Sequence, residues 1–156
     1  MPVNPISEAR KKQIVSLVKE RLGSLCKNHS GRPDWYSSED GAVDVFITDS
    51  KAHFSQRPWF DMRHTDLKAL AYHPAGFVVF ILGDAASYLV IPAREIVAQL
   101  PNHTEGLTKK GFYHFNTVLG TCAFKQLPMW DYKQYHQKIE LIPLKAVMLV
   151  ERSSSK

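Results

Sequence analysis

Two aspartates and one lysine are the residues of this chain whose types and spacing favour a specific chemistry. Asp34 follows Pro33, and after fourteen intervening residues the chain continues Asp49-Ser50-Lys51. Two carboxylates on neighbouring strands form a hard oxygen site of the kind that Mg²⁺ prefers. Lys51 lies two residues after Asp49 and shares its face of an extended strand, so its amine can orient an attacking water or help to deprotonate it. A metal held there stabilises charge on a scissile phosphate, and the pattern therefore predicts phosphodiester hydrolysis.

Pro33, Asp34, Asp49 and Lys51 together resemble the motif of the PD-(D/E)xK superfamily of restriction-endonuclease-like nucleases. The resemblance implies a restriction-endonuclease-like fold, in which a helix, three strands, a second helix and a further strand follow one another. It also implies a Mg²⁺-dependent endodeoxyribonuclease, with Asp34 and Asp49 as metal ligands. Many members of the superfamily add a metal-proximal glutamate from the preceding helix, and the resemblance gives that role to Glu20.

Two other interpretations of the same carboxylates stay open. In a second frame of the motif, Asp44 pairs with Asp61-Met62-Arg63. Arginine then replaces the lysine, and because arginine does not deprotonate, that frame predicts a degenerate and inactive site. In the third interpretation, Pro33-Asp34 is a turn dipeptide and residues 49–51 are a polar exit from a strand. The chain is then a non-catalytic domain that binds DNA, RNA or a protein.

The charge balance favours a polyanionic partner, although ordinary solubility charge explains it equally well. The chain has 20 lysines and arginines against 15 acidic residues, a formal net charge of +5 and a pI near 9.2. Nucleic acid is a partner that this balance suits, and the resemblance to the nuclease superfamily implies DNA. The candidate phosphate contacts lie on a basic N-terminal helix and in two polar segments: Arg10, Lys11, Lys12, Lys19, Arg57, Lys109 and Lys110.

Hydrophobic periodicity predicts the elements that must position these residues. Ile14, Val18, Leu22 and Leu25 recur at helical spacing and predict a helix that ends near Asn28. Strands are expected at 33–37, 42–48, 56–63, 77–82, 87–91 and 112–118, and helices at 65–72, 93–100 and 131–138. This order predicts an α/β protein, α+β in the broad sense, with one mixed sheet flanked by helices.

Length and composition set the broad class. The 156 residues suit a single domain over residues 1–152, with a frayed tail at 153–156. Cys26 and Cys122 form no paired motif, which is typical of a reducing cytoplasm, and we expect no secretion signal. No apolar run reaches the roughly 20 residues of a membrane span. A nuclease this small has little chain left for recognition, so a homodimer or a partner subunit is expected if both strands are cut.

Overall fold

A computed structural model describes residues 5–23, 27–29, 32–49, 59–81, 88–99, 112–116 and 130–143 of the chain. The helices in these ranges are α1 (Pro5–Leu22), α2 (His64–Tyr72) and α3 (Ala93–Gln99). The strands are β1 (Lys27–His29), β2 (Arg32–Ser37), β3 (Asp44–Asp49), β4 (Trp59–Arg63), β5 (Gly76–Ile81), β6 (Tyr88–Pro92) and β7 (Phe112–Asn116). Short 3₁₀ turns cover Lys133–Tyr135 and Ile139–Leu141. None of the described helices is both long enough and apolar enough to cross a membrane.

The main sheet has five strands in the order β1-β2-β3-β5-β6. All neighbours are antiparallel except β3 and β5, which run parallel from Asp44 opposite Gly76 to Asp49 opposite Ile81. A parallel pair needs a crossover connection, and the chain supplies one through β4 and α2. The fold is therefore of mixed α/β type, as the sequence predicts at this level.

Helices cover both faces of this sheet because its central strands are apolar on both faces. Every residue of β5 is buried, and alternate side chains of β5 belong to two separate core clusters. On one face α1 contributes Ile14, Val18 and Leu22, which pack with Val45, Ile47, Val79 and Ile81. On the other face α2 and α3 contribute Leu67, Leu70 and Ile96, which pack with Val78, Phe80, Leu89 and Ile91. The two faces of the sheet are thus separate environments.

The segment 130–143 joins the two layers at the β6 edge of the sheet. The backbone N–H of Gln137 donates to the carbonyl of Tyr88 over 2.7 Å. Tyr135 belongs to the core cluster under α2 and α3, whereas Ile142 belongs to the cluster under α1. The guanidinium of Arg21 on α1 also donates to the Ile142 carbonyl over 2.8 Å. The segment therefore covers an edge that would otherwise offer unpaired backbone groups.

Three sequence expectations differ from the structure. Helix α1 stops at Leu22, because Gly23 adopts a left-handed conformation with φ 101°, and the predicted end near Asn28 is wrong. The predicted helix at 131–138 is also wrong, since the two 3₁₀ turns replace it. Strand β4 does not join the main sheet but pairs with β7 in a second, two-stranded sheet. The tail at 153–156 and both cysteines lie outside the described residues.

Candidate functional site

An open groove of about 450 Å³ runs along one side of α1. Its walls are Lys11, Lys12, Val15, Ser16 and Lys19 of α1 together with Tyr36 of β2. The helical residues form two adjacent rows at four-residue spacing, one with members 11, 15 and 19 and one with members 12 and 16. These rows flank the apolar stripe that fixes α1 to the sheet, so the packing of the helix also fixes the groove.

Tyr36 connects the groove to the sheet. The ammonium of Lys19 lies over its ring, 5.8 Å from the ring centroid. A cation at this distance is attracted by the negative face of the ring. Tyr36 therefore holds the Lys19 side chain across the groove, and the lysine covers that face of the ring.

Asp34 places one carboxylate against Lys11 of the groove. The Lys11 ammonium donates to its Oδ1 over 2.9 Å. The two side chains are 35% and 42% exposed, so solvent and dissolved ions reach this ion pair. Within the described part of the chain, Lys12 and Lys19 form no ion pair with a carboxylate.

The backbone of Asp34 and that of Asp49 belong to neighbouring strands. Asp34 lies near the beginning of β2 and Asp49 is the last residue of β3, and the two strands are antiparallel, so both positions are at the same end of the sheet. The side chain of Asp49 and all of Lys51 lie outside the described residues. Among the residues that are described, no group of three or more histidines, cysteines or carboxylates is arranged to hold a metal ion.

Glu20 is not brought to Asp34. It is exposed, and it lies two residues from the buried Val18 and two from the buried Leu22. Two residues correspond to about 200° around a helix, which places Glu20 on the face of α1 opposite the sheet. It is also nine residues beyond Lys11, or about 13 Å along the axis. The structure thus separates Glu20 from the carboxylate that it was expected to join.

The remaining predicted phosphate contacts are only partly described. Arg10 belongs to α1, but its side chain is outside the described residues, as are Arg57, Lys109 and Lys110. Lys11, Lys12 and Lys19 are described, and the structure brings all three into one groove. Three lysines of the predicted basic face therefore line one concave surface.

The second frame of the motif places Asp44 in a different setting. Asp44 begins β3, at the end of the strand opposite Asp49, and it is buried. The Ser37 hydroxyl donates to its Oδ1 over 2.7 Å, and His73 Nε2 lies 3.8 Å from its Oδ2. Asp61 and Arg63 are in β4, where the Asp61 side chain is not described and Arg63 is exposed. Both oxygens of Asp44 thus have protein neighbours.

His73 is positioned by backbone groups. Its Nδ1 accepts from the Ala75 N–H over 3.1 Å, and its Nε2 lies 2.9 Å from the Gly41 carbonyl oxygen. This arrangement fits the tautomer that carries its hydrogen on Nε2. Because Ser37 donates directly to the carboxylate, His73 is not placed to act as its base. The cluster ties two turns together and is not a nucleophilic site.

Two features of the groove have no local signal in the sequence. Tyr36 was one residue of a predicted strand, and only the packing of α1 against β2 brings it under Lys19. The Lys11–Asp34 ion pair joins residues 23 positions apart, and no local pattern predicts it. The groove presents exposed ammonium groups on a rigid helix, an arrangement that can bind phosphates.

The chain matches no protein-family model, no curated protein and no solved structure.

Proposed function

We propose that this protein binds the phosphate backbone of nucleic acid, DNA above all, through the lysine groove of α1. The observation that carries the proposal is the convergence of Lys11, Lys12 and Lys19 on one concave surface. Phosphate contacts from lysines supply most of the affinity in sequence-independent binding. The formal net charge of +5 has the sign that attracts such a partner.

The spacing of the lysines favours a polymer over a single phosphate. Lys11 and Lys19 are eight residues apart, which is about 12 Å along the helix. One strand of duplex DNA presents a phosphate about every 3.4 Å of axis, so a duplex that lies along α1 offers these lysines more than one phosphate. A polymer can therefore contact several of these lysines with successive phosphates.

The groove is suited to contact with the backbone and not to recognition of bases. Ammonium groups are point charges that lack the planar fork with which arginine reads a guanine edge. The Tyr36 ring face beneath Lys19 is already covered, so it is not open for stacking on a base. Binding is therefore expected to depend strongly on salt and weakly on sequence.

Titration of a labelled DNA duplex with the protein at several salt concentrations tests this proposal. The logarithm of the binding constant should fall with the logarithm of salt with a slope of about −2 or steeper. Replacing Lys12 with methionine should make the slope shallower by about 0.9. The matched control is Lys68→Met, which removes an exposed lysine from α2 on the other face of the sheet. Binding without salt dependence, or equal losses in both variants, contradicts the proposal.

A second candidate function is Mg²⁺-dependent hydrolysis of the bound nucleic acid. The positions of Asp34 and Asp49 at one end of two adjacent strands support it, and Asp34 contacts Lys11 of the groove. The chain order is α1, β1, β2, β3, β4, α2 and β5, which resembles the helix, three strands, helix and strand of the PD-(D/E)xK nucleases but has one additional strand, and β4 lies outside the main sheet. In this proposal Asp34 and Asp49 hold the metal and Lys51 assists the attacking water.

Incubation of plasmid DNA with the protein and Mg²⁺ or Mn²⁺ tests the second candidate. Asp49→Ala and Lys51→Ala should each abolish nicking while the salt-dependent binding of duplex persists. A wild-type reaction with EDTA is the control for metal dependence. Cleavage that survives in both variants rules out the proposed catalytic residues. Binding without any cleavage leaves the chain as a nucleic-acid-binding domain.

A further inference from the structure

The Lys11–Asp34 ion pair places a carboxylate beside a groove whose charged lining residues are all lysines. Lys11 Nζ lies 2.9 Å from Asp34 Oδ1, at one end of the groove that also contains Lys12 and Lys19. A carboxylate and a phosphate oxygen are both acceptors for the same ammonium. Asp34 therefore already occupies the Lys11 ammonium that a phosphate of the ligand would contact.

The exposure of this pair makes the contact displaceable. Both side chains are more than a third exposed, and ion pairs in such settings contribute little net free energy. A polymer already held by Lys12 and Lys19 can compete for Lys11 because its next phosphate is tethered nearby. A phosphate that binds Lys11 must first displace Asp34, and this displacement reduces the binding free energy gained from the third lysine.

We propose that Asp34 is an internal competitor for Lys11 that weakens the binding of nucleic-acid phosphates in the α1 groove. This inference rests on the proposed function of that groove. It assigns Asp34 a role in setting affinity that does not require a metal ion. Removing its charge should free a third lysine without altering the helix that carries the groove.

The variant Asp34→Asn tests the inference with a labelled DNA duplex in buffer that contains EDTA. We expect roughly fivefold tighter binding at low salt and a salt slope steeper by about 0.9, which corresponds to one more phosphate contact. The matched control is Glu140→Gln. It also removes a carboxylate that lies near a lysine, with Glu140 Oε1 3.9 Å from Lys138 Nζ, but outside the groove. This control should change the affinity less than twofold.

A double-mutant cycle separates competition for Lys11 from simple repulsion of the ligand by Asp34. In a Lys11→Met background, the gain from Asp34→Asn should fall to that of the Glu140→Gln control. The inference is overturned, with the proposed function intact, if the wild type binds in a salt-dependent manner and Asp34→Asn binds no tighter than Glu140→Gln. The inference is also overturned if Asp34→Asn increases the affinity as much in the Lys11→Met background as in the wild type. A wild-type protein that shows no salt-dependent binding overturns the proposed function and this inference together.

Discussion

At Asp44 a carboxylate is buried where the β2–β3 connection meets the start of β3. Burying a charge is costly unless hydrogen bonds replace its water. The Ser37 hydroxyl supplies one such bond over 2.7 Å, and His73 lies 3.8 Å from the other oxygen. The same connection is held by the Ser38 hydroxyl, which accepts from the Val43 N–H over 3.0 Å. Polar side chains therefore fix the geometry of the turn that leads into β3.

Ser37→Ala is expected to lower the free energy of unfolding by about 1.5–3 kcal/mol, the usual range for a lost hydrogen bond to a charged group. The loss arises because Asp44 remains buried with one donor fewer. Urea unfolding followed by circular dichroism measures it, and Ser16→Ala is the control. Ser16 is exposed on α1, so its replacement should change the free energy of unfolding by no more than about 0.5 kcal/mol. Equal effects of the two substitutions would show that the Ser37 hydrogen bond contributes little.

The sequence predicts the lysines of the groove but not the carboxylate that contacts them. Lys11, Lys12 and Lys19 were identified from their charge and helical spacing, and the structure places them on one surface. The partner of Lys11 was not identified, because Asp34 reaches it only through the packing of α1 across β2. Local patterns predict which residues share a helix face, whereas contacts between distant segments depend on the complete fold.

Among the elements, α2 and β5 approach unusually closely where they follow one another in the chain. A Cβ atom added at Gly76 would overlap the carbonyl group of Leu70 in the last turns of α2. The short connection through His73 and Ala75 leaves no room for the helix to move away, since the Ala75 carbonyl is itself bonded to the Asp44 N–H over 3.0 Å. Position 76 therefore requires glycine because a side chain would clash with Leu70, and not because of its backbone conformation.

Gly76→Ala is expected to destabilise the protein by about 3 kcal/mol, because the added methyl group meets rigid backbone and not a side chain that can turn aside. The midpoint of urea unfolding measures the change. Gly41→Asn is the matched control. Nothing lies within 4 Å of a Cβ at Gly41, and asparagine tolerates its φ of +73°. The control should cost less than about 1 kcal/mol. A tolerated Gly76→Ala would mean that α2 can shift on the sheet.

The elements that the sequence predicted well are those with strong local signals. The apolar run at 77–82 corresponds to β5, and the periodic segments at 65–72 and 93–100 correspond to α2 and α3. The helix predicted after Asp131 failed for a tertiary reason. Gln137 adopts a positive φ of 53° and its N–H bonds to Tyr88 of β6. The pairing of β4 with β7, about fifty residues apart in the chain, also has no local signal.

Across the whole molecule, the segment 130–143 connects the layer that contains α1 with the layer that contains α2 and α3. Tyr135 lies at its centre, is 7% exposed and interacts with the carboxylate of Glu95 on α3. Burial and this contact with a carboxylate raise the pKa of Tyr135 to about 12. Burial, with a smaller contribution from Glu140, also raises the pKa of Tyr88 on β6. Both hydroxyl groups are therefore retained in the neutral form by the folded state.

This arrangement predicts that alkaline pH destabilises the whole protein. Unfolded tyrosine ionises near pH 10, whereas Tyr135 in the folded chain holds its proton to about pH 12. Between these values the unfolded state has released the proton and the folded state has not, so the free energy of unfolding falls as pH rises. The contribution of Tyr135 is complete below pH 10 and is lost as pH rises toward 12. Urea unfolding at successive pH values measures this loss.

Tyr135→Phe separates this contribution from the ionisation of lysines. At pH 8 the variant should be less stable than the wild type by about 1 kcal/mol, because the polar interaction of the hydroxyl with Glu95 is gone. Between pH 10 and 12 it should lose less stability than the wild type, since it has no hydroxyl to ionise on unfolding. Tyr72→Phe should follow the wild type throughout, because the Tyr72 ring is 92% exposed. If Tyr135→Phe instead loses as much stability as the wild type between pH 10 and 12, the folded state does not raise the pKa of the Tyr135 hydroxyl. The attachment of segment 130–143 to α3 then depends on its apolar contacts.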